Sequence, residues 1–202
     1  MSVEDGPSPE DWEIWNQRDR WYNRNEDPVN KQAIVEELAR RRAYARFPLH
    51  GEVLEGLRSD ALEIGEHTIL EPHVWLTLDV EKARIRIGSG CFLNIGVMVA
   101  SVGSVEIGDH TMFANGCWIG DADHRFDDPT RPITWQGFTS KGPVSIGSNC
   151  WFGVNAVVTS GVTIGDRCVI GSNSVVTHDI PSGTIAAGAP ARVVKEIQFK
   201  TT

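Results

Sequence analysis

No run of 18 apolar residues occurs anywhere in the 202-residue chain, so no segment has the length and character of a membrane-spanning helix. Basic residues are in deficit, with 19 Lys and Arg against 27 Asp and Glu for a formal net charge of −8. That balance argues against the broad basic face that a phosphate backbone requires. The one basic cluster, "ARRRAYAR" at 39–46, reads as a solvated or interface-covering helix face. Cysteine is sparse: four residues and no C-x-x-C pair, which speaks against a disulfide framework or a thiolate metal site. The opening "MSVEDGPSPEDWE" is acidic and polar, unlike a secretory or transit leader. A cytoplasmic protein without a transmembrane segment and without a nucleic-acid partner is expected.

What the chain has instead is rhythm. From residue 64 an apolar residue recurs every six positions: Ile64, Leu70, Leu76; Ile87, Leu93, Val99; Ile107, Phe113, Ile119; Ile146, Phe152, Val158; Ile164, Ile170, Val176. A glycine follows in eight of these fifteen units. A fixed six-residue period is the signature of a parallel β-helix, three short strands to a coil, with coils about 4.8 Å apart. The leading residue points inward, and the glycine after it is expected to supply backbone conformations closed to larger side chains. The fifth position also faces inward. Cys91, Cys117, Cys150 and Cys168 all stand there, so they read as small core residues and no metal is needed. Trp75, Trp118 and Trp151 hold sixth positions and should point outward.

The same count finds the interruptions. Leu76 to Ile87 is eleven residues, Val99 to Ile107 is eight, and Ile119 to Ile146 is twenty-seven. The last excess throws a loop, 121–143, out of one corner. Long loops on rigid frames carry function or are disordered, and Phe126, Ile133, Trp135 and Phe138 predict order for this one. His124 lies within it. Ahead of the repeat, residues 1–48 read as a helical cap and oligomer-contact segment, one helix opening at Ser8–Pro9 and another at Asp27–Pro28. The β-helix domain spans 49–186. The tail, 187–202, holds a Gly/Pro turn and a short terminal element with Arg192, Lys195 and Lys200.

The repeat, the His-bearing loop, "VSIGSNCWFGVNAVVTSGVTIGDRCVIGSNSVVTHDIP" and the closing "IAAGAPARVVK" together resemble the hexapeptide-repeat acyltransferases. The resemblance covers residues 64 to about 197. It implies a mainly β chain, a left-handed coil, a homotrimer, and acyl-CoA bound in clefts between neighbours. By position it implies that His124 is the general base. An imidazole, with a pKa of about 6.5, can take the acceptor's proton near neutral pH as the oxygen attacks the thioester. Transfer in the family is direct, so no Ser or Cys nucleophile is called for.

The resemblance also implies a coenzyme cleft lined by Trp151, Val154, Ser172, Thr177 and His178, with Arg192 and Lys195 at the CoA phosphates. His178 stands where relatives often have lysine. Asn94 matches an acceptor-contacting asparagine, although a left-handed backbone would equally account for an Asn there. Asp123 falls at an inward position where a charge is unusual. It either leaves the core with the loop or orients the imidazole. The acidic pair that sugar acetyltransferases carry before the coil at 107 is missing from "ASVGSVEIG". The loop is closer to enzymes of polysaccharide or glycolipid assembly, so a saccharide hydroxyl is the expected acceptor. Acetyl-CoA is the first-choice donor. Arg125 and Arg131, on the same loop, would suit succinyl-CoA through a bidentate carboxylate contact, unless they pair with Asp127 and Asp128.

Two other readings compete. A γ-class carbonic anhydrase-like zinc protein shares this fold and needs three converging histidines. Here His67 and His110 share a face two coils apart, His73 is on another, and no H-x4-H spacing occurs. A non-catalytic β-helix module is the other alternative.

Overall fold

The computed structural model describes residues 24–78 and 82–200. The expected helix at Ser8–Pro9 lies outside them. The repeat region winds into a three-sided parallel β-helix in which each coil gives one strand to each of three sheets. The first sheet stacks Leu62–Ile64, Arg84–Ile87, Ser104–Ile107, Val144–Ile146 and Thr163–Ile164. The second stacks Tyr44–Ala45, Ile69–Leu70, Phe92–Leu93, Met112–Phe113, Trp151–Phe152, Val169–Ile170 and Thr184–Gly188. The third stacks Leu49–Gly51, Val74–Leu78, Met98–Ser101, Trp118–Gly120, Val157–Val158 and Val175–Val176. All fifteen leading residues are buried, Ile64 being the most exposed at 4%. The register read from the sequence is the register of the core.

The second-position glycines need a different explanation from the one expected. None of the eight has a positive φ. Seven of them are small because the next coil leaves no room: a Cβ on Gly65 would stand 2.5 Å from the Ser89 nitrogen, and one on Gly147 2.6 Å from that of Asp166, while one on Gly120 would meet the Trp118 ring of its own strand. Left-handed backbone falls instead at the fourth position, at His67, His110, Asn149, Arg167 and Asn173 among others, with φ of 56–62°. Between the first and second sheets the third positions interlock. The backbone N–H of Ser89 donates to Asp109 Oδ1 (2.7 Å), that of Asp109 to Ser148 Oγ (3.0 Å), that of Ser148 to Asp166 Oδ1 (2.7 Å) and that of Asp166 to Ser182 Oγ (3.0 Å). This alternation of acid and serine satisfies the turn amides of a whole edge.

All four cysteines are free and buried. Burial pushes the Cys91, Cys117 and Cys150 thiols up, Cys150 to about 11. Since the thiolate is the reactive form, native protein should react slowly with thiol reagents and form no disulfide in air. Rapid labelling of Cys91 or Cys150 in folded protein, followed by mass spectrometry, would contradict this packing.

The ends are closed by the chain itself. Helix α1, Pro28–Arg40, is capped by Asp27, whose carboxylate accepts from the Val29 and Asn30 amides. Its Ile34 and Leu38 join the core with Leu54 and Leu57 of a short helix α2, Val53–Arg58. The basic cluster is not one helix face: α1 ends at Arg40 and Arg42 turns with φ +56°. The reason is local pairing: Arg41 donates to Glu37 and to the Leu57 carbonyl, Arg42 meets Glu66 at 2.8 Å, and Arg46 meets Glu71. Past it, Tyr44–Ala45 and Leu49–Gly51 pair with the first coil, so the β-helix starts before the repeat is readable. At the far end Thr184–Gly188 folds back antiparallel on Ala191–Glu196.

Candidate active site

The loop at 121–143 is an ordered arm. It leaves the third sheet after Gly120, and Asp123–His124 pairs antiparallel with Phe138–Thr139. The Arg125 amide donates to the Gly137 carbonyl (2.9 Å). A 3-10 turn, Ile133–Trp135, crosses the tip. Gln136 ties the far limb together: its Oε1 accepts from the Asp128 amide, and its Nε2 donates to the Asp128 and Arg131 carbonyls, each at 2.9 Å. Asp128 Oδ1 accepts from Thr130 through both amide and hydroxyl. The expected apolar anchoring is not what orders the arm, because Phe126 and Ile133 are 74% and 55% exposed. Polar ties do that, while Trp135 is half-buried and Phe138 stacks on His124.

His124 is exposed on this ribbon, its ring 4.7 Å from that of Phe138 at an angle of 34°. Asp123 has left the core with the arm and is also exposed. Arg125 makes a two-pronged pair with Asp127, at 3.1 and 3.2 Å. The Asp127 hydrogen bond pushes the Arg125 pKa up, and the guanidinium holds the Asp127 carboxyl below its usual range. The arm therefore already supplies a carboxylate to Arg125. Arg131 is exposed near the tip.

The remaining candidates fall on other edges of the prism. Trp151, 49% exposed, stands on the outer side of the second sheet between Met112 and Val169. Lys195 and Arg192 lie opposite Ile185 and Ala187 at the end of that sheet. Val154 and Ser172 are exposed at the turn from second to third sheet, where Asn94 also sits. Asn94 lacks a positive φ, so a left-handed backbone does not explain it. Thr177 and His178 follow the last strand of the third sheet, with Thr177 Oγ1 2.8 Å from His178 Nδ1. Of these residues, only Thr177 and His178 share the edge from which the His124 arm departs. The third sheet separates His124 from Asn94, Trp151 and Arg192 within one chain. His67 and His110 lie along the edge from first to second sheet, and His73 pairs with His50 at 3.2 Å on the next. Among the described residues no three His, Cys, Asp or Glu side chains are grouped to hold a metal ion.

One residue escaped the sequence reading. Asp121, 1% exposed, sits where the arm leaves the coil. Its signal was available as an acid at the third position, the position that carries Asp or Ser along the opposite edge.

Comparison with known proteins agrees with this architecture. Residues 143–178 match the family model described as the hexapeptide repeat of succinyl-transferase. The galactoside O-acetyltransferase of Escherichia coli is 35% identical over 134 residues, 66% of this chain and 63% of its own length. A Mycobacterium tuberculosis protein named as a probable acetyltransferase is 43% identical over 123 residues, 61% of this chain and 41% of its own length. The solved structure of a galactoside acetyltransferase in complex with coenzyme A superposes with a TM-score of 0.62 at 30% identity, covering 87% of this chain and 83% of that one. The chain belongs to the hexapeptide-repeat acyltransferase family. Within that family the chain keeps the repeat intact around its one long excursion, and that excursion carries His124. The chain spans under two thirds of the length of the two curated relatives named above.

Proposed function

We propose that the protein moves a short acyl group, acetyl in the first instance, from acyl-CoA to a hydroxyl of a saccharide or glycoconjugate. His124 is the general base. The acceptor O–H gives its proton to the imidazole as its oxygen attacks the thioester carbonyl. The C–S bond breaks, and the departing CoA sulfur takes the proton back. No acyl-enzyme forms, which accords with four cysteines that are all buried. The observation that carries the reading is an exposed imidazole on the one long arm that breaks the repeat. The coenzyme complex of the 30%-identical relative supports CoA as co-substrate.

The active unit in this proposal is a left-handed homotrimer with its sites between chains. Separation of His124 from Trp151, Val154, Ser172, Arg192 and Lys195 by a sheet supports that, since a second copy would bring them together. The surfaces support it too. The outer row of the second sheet reads Tyr44, Ile69, Phe92, Met112, Trp151, Val169, Ile185, and that of the third reads His50, Trp75, Met98, Trp118, Val157, Val175. The first sheet instead shows Glu63, Arg86, Glu106, Ser145 and Thr163. Two apolar faces and one charged face fit a molecule buried on two sides by neighbours and wet on the third. Among the described residues no helix is long and apolar enough to cross a membrane, and we place the reaction in the cytoplasm.

The test is a panel of saccharide acceptors against acetyl-CoA and succinyl-CoA, with light scattering on the same sample. A trimer that releases CoA thiol with one acceptor, and prefers acetyl-CoA, is expected. Because Asp127 already occupies Arg125, Arg125→Ala should leave the donor ratio within about twofold, the range of a surface pair. A stable monomer at micromolar concentration, or no acceptor-dependent thiol release across the panel, would overturn the reading.

A further inference from the structure

The root of the arm is tied to the coils on either side of it. Val99 to Ile107 is two residues longer than the repeat requires, and the extra length makes the turn Ser101–Val102–Gly103. Asp121, on the next coil, aims its carboxylate into that turn. Oδ1 accepts from the Val102 amide (2.8 Å), and Oδ2 accepts from the Gly103 amide (2.8 Å) and the Ser101 hydroxyl (3.1 Å). A Cβ at residue 103 would come within 3.2 Å of Oδ2, so the glycine keeps the approach open. The Asp121 carbonyl in turn accepts from the Ser140 hydroxyl at 2.5 Å. That bond joins the residue where the arm leaves to the residue where it returns. Beyond Ser140 the return limb is fixed to the following coil, the Lys141 amide donating to Ser160 Oγ (3.4 Å) and the Gly161 amide to the Gly142 carbonyl (2.9 Å).

We propose that Asp121 is the positioning residue for His124: it locks the exit of the arm to the preceding coil and, through Ser140, to its own return. The inference rests on His124 being the base. Asp121 touches no reacting atom in this scheme. Its effect passes through three residues of backbone to an imidazole whose ring packs against Phe138, itself part of the arm. Two adjacent amides and a hydroxyl converging on one buried carboxylate fix a direction that a neutral side chain cannot. Asparagine has the same size, but one of its two polar ends is an NH2 and would face a donor.

The test reads the imidazole directly. His124 in protein carrying 13C-labelled histidine gives a ring Cε1–Hε1 cross-peak, assigned by its loss in His124→Ala. In Asp121→Asn and in Ser140→Ala this peak should move or split, at a temperature where both remain folded. In Thr111→Val, which removes a buried hydroxyl on a distant edge that accepts from the Cys150 amide, it should not. With an acceptor that supports turnover, kcat for Asp121→Asn should fall about 10- to 100-fold, the cost of misplacing a reacting group by about 1 Å. KM for acetyl-CoA should stay unchanged. Superimposable His124 peaks in wild type, Asp121→Asn and Ser140→Ala would overturn the proposal, as would an equal kcat loss in Thr111→Val. If Asp121→Asn does not fold, Ser140→Ala decides, since it removes one hydroxyl and leaves the carboxylate in place. The cross-peak needs no turnover, so an inactive wild type would count against the reaction and not against this positioning role.

Discussion

Replacing His124 with alanine is expected to lower turnover by about 10²–10⁴-fold, the usual contribution of a positioned general base. The oligomeric state, whatever light scattering gives for the wild type, and the affinity for CoA should survive, because the imidazole is exposed and its ring contact is with Phe138 on the same arm. Its loss therefore opens no cavity in the core. Turnover and CoA binding should be measured on one preparation, the second by calorimetry. His178→Ala is the useful comparison. It lies on the same edge, hydrogen-bonded to Thr177, and in the coenzyme role it should raise KM for acyl-CoA more than it lowers kcat. Near wild-type turnover in His124→Ala would remove the base from the mechanism. Loss of CoA affinity with unchanged kcat would make it a binding residue instead.

The fold was legible because a β-helix writes its register in a single period. One misplaced charge among the fifteen leading residues would have broken the count, and there is none. The illegible parts have no period to read. Tyr44–Ala45 and Leu49–Gly51 are strands only because Ile69–Leu70 and Val74–Leu76 lie beside them. Val53–Arg58 is a single short helix held by Leu54 and Leu57 in the core. The glycine rule was found correctly and explained wrongly: spacing shows that the position is small, but only stacked coils show what it would strike.

The site divides the same way. His124 stood out because it breaks a rhythm, a property of the sequence alone. Asp121 did not, because its carboxylate acts on a turn about twenty residues earlier in the chain, a neighbour only once the coils are stacked. Arg125 offered two partners on paper, an acyl carboxylate or Asp127, and within the chain it pairs with Asp127. The aromatic residues of the arm predicted order, and the order exists, yet Gln136 and Asp128 supply it while Phe126 stays in solvent.

The largest stability effect should come from the core beneath the second sheet. There Phe113 and Phe152, each 0% exposed, stack between adjacent coils with ring centroids 4.5 Å apart and an interplanar angle of 19°. Their coils adjoin although the twenty-seven-residue gap lies between them in sequence, so the pair joins the coil before the arm to the coil after it. Phe152→Ala removes a whole ring from a site that backbone on either side prevents from collapsing. It should cost about 3–5 kcal/mol per chain. With about 2–4 °C per kcal/mol for a chain of this size, the melting temperature should fall by about 6–20 °C. Phe152→Leu keeps most of the volume and should cost under about 1.5 kcal/mol, as shape-conserving core changes do. Thermal unfolding followed by circular dichroism at one protein concentration ranks the two, concentration being fixed because assembly contributes to apparent stability. Equal melting temperatures for Phe152→Ala and wild type would mean that the coil before the arm and the coil after it are not packed ring on ring.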